Sequence, residues 1–302
     1  MPLRAALDRP ETRIAPIRQP DEQIVIDPAL RYRAFVDALE AAKQSIDLSI
    51  FRCDDPLIVD VLASARARGV RIRTLLTNRA KGGRKQLARL EAALERGGVD
   101  VARYRGPCSK YHAKYALIDG RQTLVSSMNL TRECFEDTDD VLFTSGDASI
   151  YRALAAMFEA DWQGEETPLV SCDRLIVSPD NARERMTGLI ASARRSIVIV
   201  DHKLGDPKVL DLLLAAQARG VSVHLVTDRK RLGVRAHGKT MVIDGRRAVV
   251  GSLALSSGTL NRRRDVAVLV DDPGLIREVT ANLPPLCPRR SAAVLAEASL
   301  VA

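Results

Sequence analysis

The chain has 302 residues, 46% hydrophobic and 28% charged, enough apolar material for one or two domains without covalent staples. Its five cysteines are scattered, odd in number and lack a Cys-x-x-Cys pair, which argues against a disulfide framework or a zinc site. The net charge of +8 is concentrated in residues 78–110, with a surplus of six, and residues 228–236, with a surplus of three, a pattern suited to drawing in polyanions.

Residues 1–20 are rich in Pro and Arg without periodicity and read as an arm. They contain no apolar run long enough for a signal peptide, because Asp8 and Arg9 interrupt it. No stretch approaches the roughly 18 uninterrupted apolar residues of a membrane span, so the expectation is a cytoplasmic protein.

A first half is expected over residues 21–166. Gln23 to Ile26 reads as a short strand, and Asp27-Pro28 opens a helix to about Ala42, with Pro in the first turn where its missing N–H is harmless. Ser45 to Phe51 alternates as a strand does. Asp54 and Asp55 precede Pro56 and a helix carrying Ile58, Val61, Leu62 and Ala65, closed by Gly69 before a strand over Val70 to Leu76. Residues 78–110 form a basic insertion with a helix over Arg84 to Arg96 and a short strand near Val99 to Tyr104. A helix over Ile150 to Trp162 would close this half, with the boundary near Gly164 to Val170.

The second half, residues 167–288, repeats the order without the insertion. Leu175 to Val177 is followed by a helix to Ala193 and a strand over Ser196 to Val200. Asp206-Pro207 opens a helix closed by Gly220, and Val221 to Val226 is the next strand. Ser45 to Gly69 and Ser196 to Gly220 span the same 24 positions. Such a repeat predicts two similar α/β sandwich modules from an internal duplication, not a solenoid. A helix over Pro273 to Leu283 and a small-residue tail, 289–302, end the chain.

The stretch Tyr111 to Asn129 and its copy Ala236 to Ala254 carry the chemistry. His112, Lys114, Asp119 and Ser127 recur as His237, Lys239, Asp244 and Ser252, and Asp140 and Asp265 each follow their histidine by 28 positions. Strand alternation would put His112 and Lys114 on one face, and likewise His237 and Lys239. The Asp-Gly pairs at 119–120 and 244–245 signal hairpin turns that return the serines beside the His–Lys ends. Asp140 and Asp265 are placed to accept a hydrogen bond from an imidazole. Two imidazoles, two ammonium groups and two hydroxyls suit a phosphodiester: cations for the nonbridging oxygens, one imidazole to attack phosphorus and one to protonate the leaving oxygen. No cluster at metal-ligand spacing accompanies them, and neither metal nor cofactor is expected. His202 ends its strand at the register of Phe51 and reads as a surface or rim residue.

Two H-x-K-x-x-x-x-D motifs, each followed by [S/G]-S, resemble the phospholipase D superfamily, over roughly residues 22 to 285. The resemblance implies two halves meeting at a pseudo-twofold, with both motifs in one active site. It implies His112 as the nucleophile of a phosphohistidine, His237 as the acid, and phosphate binding by Lys114, Lys239, Ser127, Asn129 and Ser252. Asp140 and Asp265 would orient the histidines, and Asp119 and Asp244 would be structural. Ser126 departs from the usual Gly. Ala254 stands where the second Asn would be, which leaves the second half one donor short. Metal-independent nuclease-like action on DNA or RNA is the favoured expectation, from the basic flanks. Phospholipase D or cardiolipin-synthase-like phosphatidyltransfer on anionic phospholipid is the alternative, and a silent nucleic-acid-binding module the third. One chain holds a complete site, so a monomer is expected, with a dimer as the other option.

Overall fold

The computed structural model describes residues 21–79, 83–168, 170–227, 230–231, 234–235 and 237–283. The whole of the expected N-terminal arm and all of the C-terminal tail lie outside these residues. The first half contains β1 (Gln23–Val25), α1 (Pro28–Glu40), β2 (Ser45–Ile50), α2 (Pro56–Ala67), β3 (Arg71–Leu76), α3 (Arg84–Arg96) and β4 (Asp100–Arg103). It continues with β5 (Lys110–Tyr111), β6 (Tyr115–Ile118), β7 (Gln122–Ser126), α4 (Arg132–Glu136), β8 (Leu142–Ser145) and α5 (Ala148–Gln163).

The second half contains β9 (Leu175–Ser178), α6 (Ala182–Ala191), β10 (Ser196–Val200), α7 (Pro207–Ala218), β11 (Ser222–Val226), β12 (Lys230–Arg231) and β13 (Val234–Arg235). Then follow β14 (Thr240–Ile243), β15 (Arg247–Gly251), α8 (Ser257–Arg262), β16 (Arg263–Val270) and α9 (Pro273–Ala281).

Four of the helices begin with the same device. Asp27, Asp55, Asp206 and Asp272 each sit at the N-cap before a proline, and each carboxylate accepts a backbone N–H of the first turn. The short helices α4 and α8 are capped by Thr131 and Ser256. They are equivalents 125 positions apart, the interval that separates His112 from His237.

One sheet runs β1-β8-β7-β6-β2-β3-β4 and the other β11-β10-β14-β15-β16-β5, with β9 also on β16. Each sheet is mixed: β2 pairs parallel with β3 and antiparallel with β6, and β10 pairs parallel with β11 and antiparallel with β14. The inner faces of the two sheets share one core, in which Tyr115, Val125 and Phe143 meet Val177, Val250, Val266 and Val268. Separate apolar cores lie under α1, α2 and α3 in the first half and under α6 and α7 in the second.

Strand β5 breaks the symmetry. It lies in the first half of the chain, yet pairs parallel with β16 of the second, Lys110 against Arg263 and Tyr111 against Arg264. This corrects the expected strand alternation through His112 and Lys114. The chain crosses between sheets at His112–Lys114, so those residues lie between the two strands and β6 starts only at Tyr115. In the second copy His237–Lys239 likewise precede β14 without joining it.

Candidate active site

The crossing of β5 places the first histidine. Pairing with β16 continues one residue further, where the His112 N–H donates to the Arg264 carbonyl at 2.8 Å. This register puts His112 against Asp265, and His112 Nδ1 lies 2.6 Å from Asp265 Oδ1. The second histidine is held differently. The His237 and Gly238 N–H groups both donate to Asp139 Oδ1 at 2.7 Å, and His237 Nδ1 lies 2.8 and 2.9 Å from the Asp140 oxygens. A Cβ at Gly238 would sit 2.1 Å from the Asp139 carbonyl oxygen, so only glycine permits this approach.

The carboxylates are therefore exchanged: each imidazole is oriented by the aspartate of the other half. A carboxylate on Nδ1 fixes the tautomer and leaves Nε2 as the working nitrogen. Asn129 Nδ2 lies 3.4 Å from His237 Nε2, a contact that Ala254 cannot mirror at His112. Asn129 Oδ1 is buried with no hydrogen-bond partner among the described residues.

Both lysines brace the loops that carry the histidines. Lys114 Nζ donates to the His112 carbonyl at 2.8 Å and lies 3.2 Å from His112 Nε2, while Lys239 Nζ donates to the His237 carbonyl. An aromatic ring flanks each imidazole: Phe51 at 4.4 Å from His112 and His202 at 6.5 Å from His237, between centroids. His202 thus belongs to the rim, one of the two places expected for it.

The hydroxyls of both serines are engaged within the protein. The Ser127 hydroxyl donates to Asp140 Oδ1 at 2.6 Å and accepts the Val141 N–H, and the Ser252 hydroxyl is engaged with the N–H and carbonyl of Val266. Both lie under the carboxylate-bearing segments, where a buried carboxylate needs donors more than a distant phosphate does. Asp119 accepts from the N–H groups of Lys43, Gln44 and Ser45, and Asp244 from those of Arg194, Arg195 and Ser196. Each aspartate and the glycine after it has positive φ (53° and 72°, then 56° and 63°), the backbone of a two-residue hairpin turn.

The electrostatics separate the two pairs. Burial would raise the Asp140 carboxyl, but His237, Arg31 and Lys239 outweigh it and hold it well below the usual carboxylate range. Thr138 adds a hydroxyl to Oδ2 at 2.6 Å. At Asp265 burial wins, pushing the carboxyl up to about 6 against the opposing charge of Lys114, and Oδ2 has no hydrogen-bond partner among the described residues. Burial, then Lys114, Lys239, Lys203 and Lys110, push His112 well below its ordinary value, so its imidazole is neutral. Burial also lowers His237, but Asp140 acts against it. Lys114 is brought down to about 7 by burial, with Asp265 opposing.

Three contributors escape the motif. Arg31 is buried on the same face of α1 as Phe35 and Leu39, and its guanidinium donates to the carbonyls of Ile26, Cys134, Thr138 and Asp140. An arginine inside an apolar helical stripe was the available signal. Lys203 stands at the register of Arg52, and burial followed by Lys239 and Arg263 bring its ammonium to about 8. Lys110 places Nζ 4.6 Å from the Phe51 ring centroid, on the ring that also faces Lys114 at 5.0 Å.

Among the described residues Cys134, Asp140 and His237 bring potential metal-ligand atoms within 4.8 Å of one another. The donors fit a hydrogen-bonded network better than a metal. Asp140 is taken up by His237, Ser127 and Thr138, and burial pushes the Cys134 thiol up to about 11, far from the thiolate a metal requires.

A family model described as cardiolipin synthase, PLD-like domain, matches residues 35–162. The chain is similar to the mitochondrial cardiolipin hydrolase of Xenopus laevis, 29% identical over 128 residues, 41% of this chain and 58% of that protein. The human protein of the same name is 27% identical over 128 residues, 42% of this chain and 48% of that protein. The chain thus matches about half the length of these relatives. Among solved structures, polyphosphate kinase from Porphyromonas gingivalis superposes with a TM-score of 0.72 at 20% identity, covering 87% of this chain and 46% of that one. Phosphatidylserine synthase from Haemophilus influenzae superposes with a TM-score of 0.70 at 10% identity, covering 88% and 87%. At these identities the two structures share the fold.

Proposed function

Because the chain belongs to the phospholipase D superfamily, we propose that it is a metal-independent phosphodiesterase working through a phosphohistidine at His112. The observation that carries this reading is the pair of exchanged His–Asp contacts, His112 with Asp265 and His237 with Asp140.

His112 gives its Nδ1–H to Asp265, so the Nε2 lone pair attacks phosphorus. The bond to the leaving oxygen breaks, and that oxygen takes a proton from His237 Nε2. Asp140, fully ionised, supports the imidazolium that His237 must be at that moment. In the second step His237, now neutral, takes a proton from water or an alcohol whose oxygen displaces His112. Splitting the displacement in two is the gain from covalent capture, and proton transfer to the leaving group contributes about 10²–10⁴ in rate. Lys114 and Lys239 neutralise the nonbridging oxygens. Ser127 orders Asp140 and Ser252 orders the start of the segment after Asp265, so they act on the site through the carboxylates. Both halves are present in one chain, and a monomer suffices.

The relatives named cardiolipin hydrolases favour a phospholipid substrate. The exposed basic residues of α3, among them Arg84, Lys85, Arg89 and Arg96, favour nucleic acid as a second reading. The chemistry itself is tested on bis(p-nitrophenyl) phosphate. Hydrolysis that persists in EDTA supports the proposal, and hydrolysis abolished by EDTA and restored by a divalent metal contradicts it.

A further inference from the structure

Helix α3 has no counterpart among the described residues of the second half, and it walls a cavity that shares Phe51 with the surroundings of His112. The space, of about 340 Å³, lies between α2, α3 and the end of β2. This volume falls within the range of about 300–1,000 Å³ common for ligand pockets. Its apolar wall is Val59, Leu87, Leu90 and Ala93, and two cations, Arg52 and Arg89, also line it. The carboxylates that reach the cavity are committed to backbone donors: Asp55 accepts the Leu57 N–H at 2.9 Å and Asp54 the Arg132 N–H at 3.2 Å.

Three observations tie this space to an amphiphile at the catalytic pair. Phe51 and Arg52 line both the cavity and a narrow crevice that reaches Lys114 and Asn129, so the two spaces share a wall. The Phe51 ring that forms this wall stands 4.4 Å from the His112 ring. Leu57, next to the cavity residue Pro56, is 43% exposed and is one of two large hydrophobic residues left exposed among those described. A nucleic acid would find little here: the one aromatic ring at the cavity already faces His112, Lys110 and Lys114.

We propose that the cavity between α2 and α3 holds an acyl chain of a lipid phosphodiester whose phosphate lies at His112. Arg52 and Arg89 would meet the anionic headgroup region, and the apolar wall would remove methylene groups of the chain from water. The inference rests on the phosphodiesterase reading and deepens it by naming the substrate class.

The test compares the full chain with Ala93→Trp, which fills the cavity from a half-buried position, and Val59→Arg, which places a charge in it. The readout is the ratio of kcat/KM for long-chain over dibutyryl phosphatidylglycerol. The native chain should prefer the long-chain substrate at least tenfold, and both variants should bring the ratio close to one. An unchanged ratio in the variants, or no preference in the native chain, overturns the proposal, as does cleavage of DNA alone. Binding of a fluorescent long-chain phosphatidylglycerol to His112→Ala, with and without Ala93→Trp, is read independently of turnover. Binding weakened tenfold by Ala93→Trp in a chain inactive on every phosphodiester would retain the cavity and remove the enzymatic reading. Binding indifferent to Ala93→Trp would remove the cavity.

Discussion

The two halves repeat the same elements around their motifs, α3 to β5 being an addition to the first, yet their carboxylates end in opposite electrostatic states. Asp140 is bound by His237, Ser127 and Thr138, with Arg31 behind it, and stays ionised. Asp265 is equally buried and less well supplied with donors, and its carboxyl is pushed up to about 6. Since each aspartate serves the histidine of the other half, the difference falls on the imidazoles. Burial lowers both imidazoles; at His237 the Asp140 anion acts against it, whereas at His112 the surrounding lysines add to it. Under the proposed mechanism, duplication supplies two equal motifs and unequal surroundings would set His112 as the nucleophile and His237 as the acid. Asn129, which touches His237 and is replaced by Ala254 in the second copy, adds to the same inequality.

The largest expected effect breaks this comparison directly. Replacing His112 by Ala should abolish turnover of alkyl and p-nitrophenyl phosphodiesters alike, by at least about 10⁴-fold, because the bond-forming atom is gone. Replacing His237 by Ala should cost about 10²–10⁴-fold with an alkyl leaving group. Release of the first p-nitrophenolate, which needs no protonation, should continue as a burst. Stopped-flow absorbance on both substrates checks this. A burst in His112→Ala and none in His237→Ala would reverse the assignment.

A smaller effect concerns pH. Asp265 must be ionised to hold the His112 Nδ1–H, so kcat/KM should fall as pH drops through about 6, where its raised carboxyl takes up a proton. Lys114 must be charged to meet the phosphate, and its lowered ammonium loses its proton as pH rises through about 7. The profile should therefore be a narrow bell near neutrality, whose limbs belong to the two groups jointly. Lys114→Arg, which cannot deprotonate, should flatten the alkaline limb relative to its own maximum, whatever its absolute rate. An alkaline limb unchanged in Lys114→Arg would assign that limb to another group, with Lys203, at about 8, as the next candidate.

Much of the fold was legible because it is local. The Asp-Pro helix starts, the Asp-Gly hairpins and the basic helix over Arg84–Arg96 each follow from a few adjacent residues. The histidines and lysines were legible because they repeat. The exchange of carboxylates was not, since His112 and Asp265 are 153 positions apart and a register of 28 residues links each histidine equally well to its own half. What decides it is β5, two residues that carry no periodicity yet pair across the halves. The hydrogen bonds of the serines were not legible for a related reason: their position in the motif says nothing of which buried oxygen lies nearest.

The most direct measurement is the site of covalent labelling. The chain is quenched during turnover of a ³²P-labelled phosphodiester, digested at alkaline pH, where phosphohistidine survives, and mapped by mass spectrometry. An acid-labile adduct on His112 is expected, one per chain and accumulating in His237→Ala. An adduct on His237 with none on His112, or turnover without any adduct, would contradict the phosphohistidine at His112.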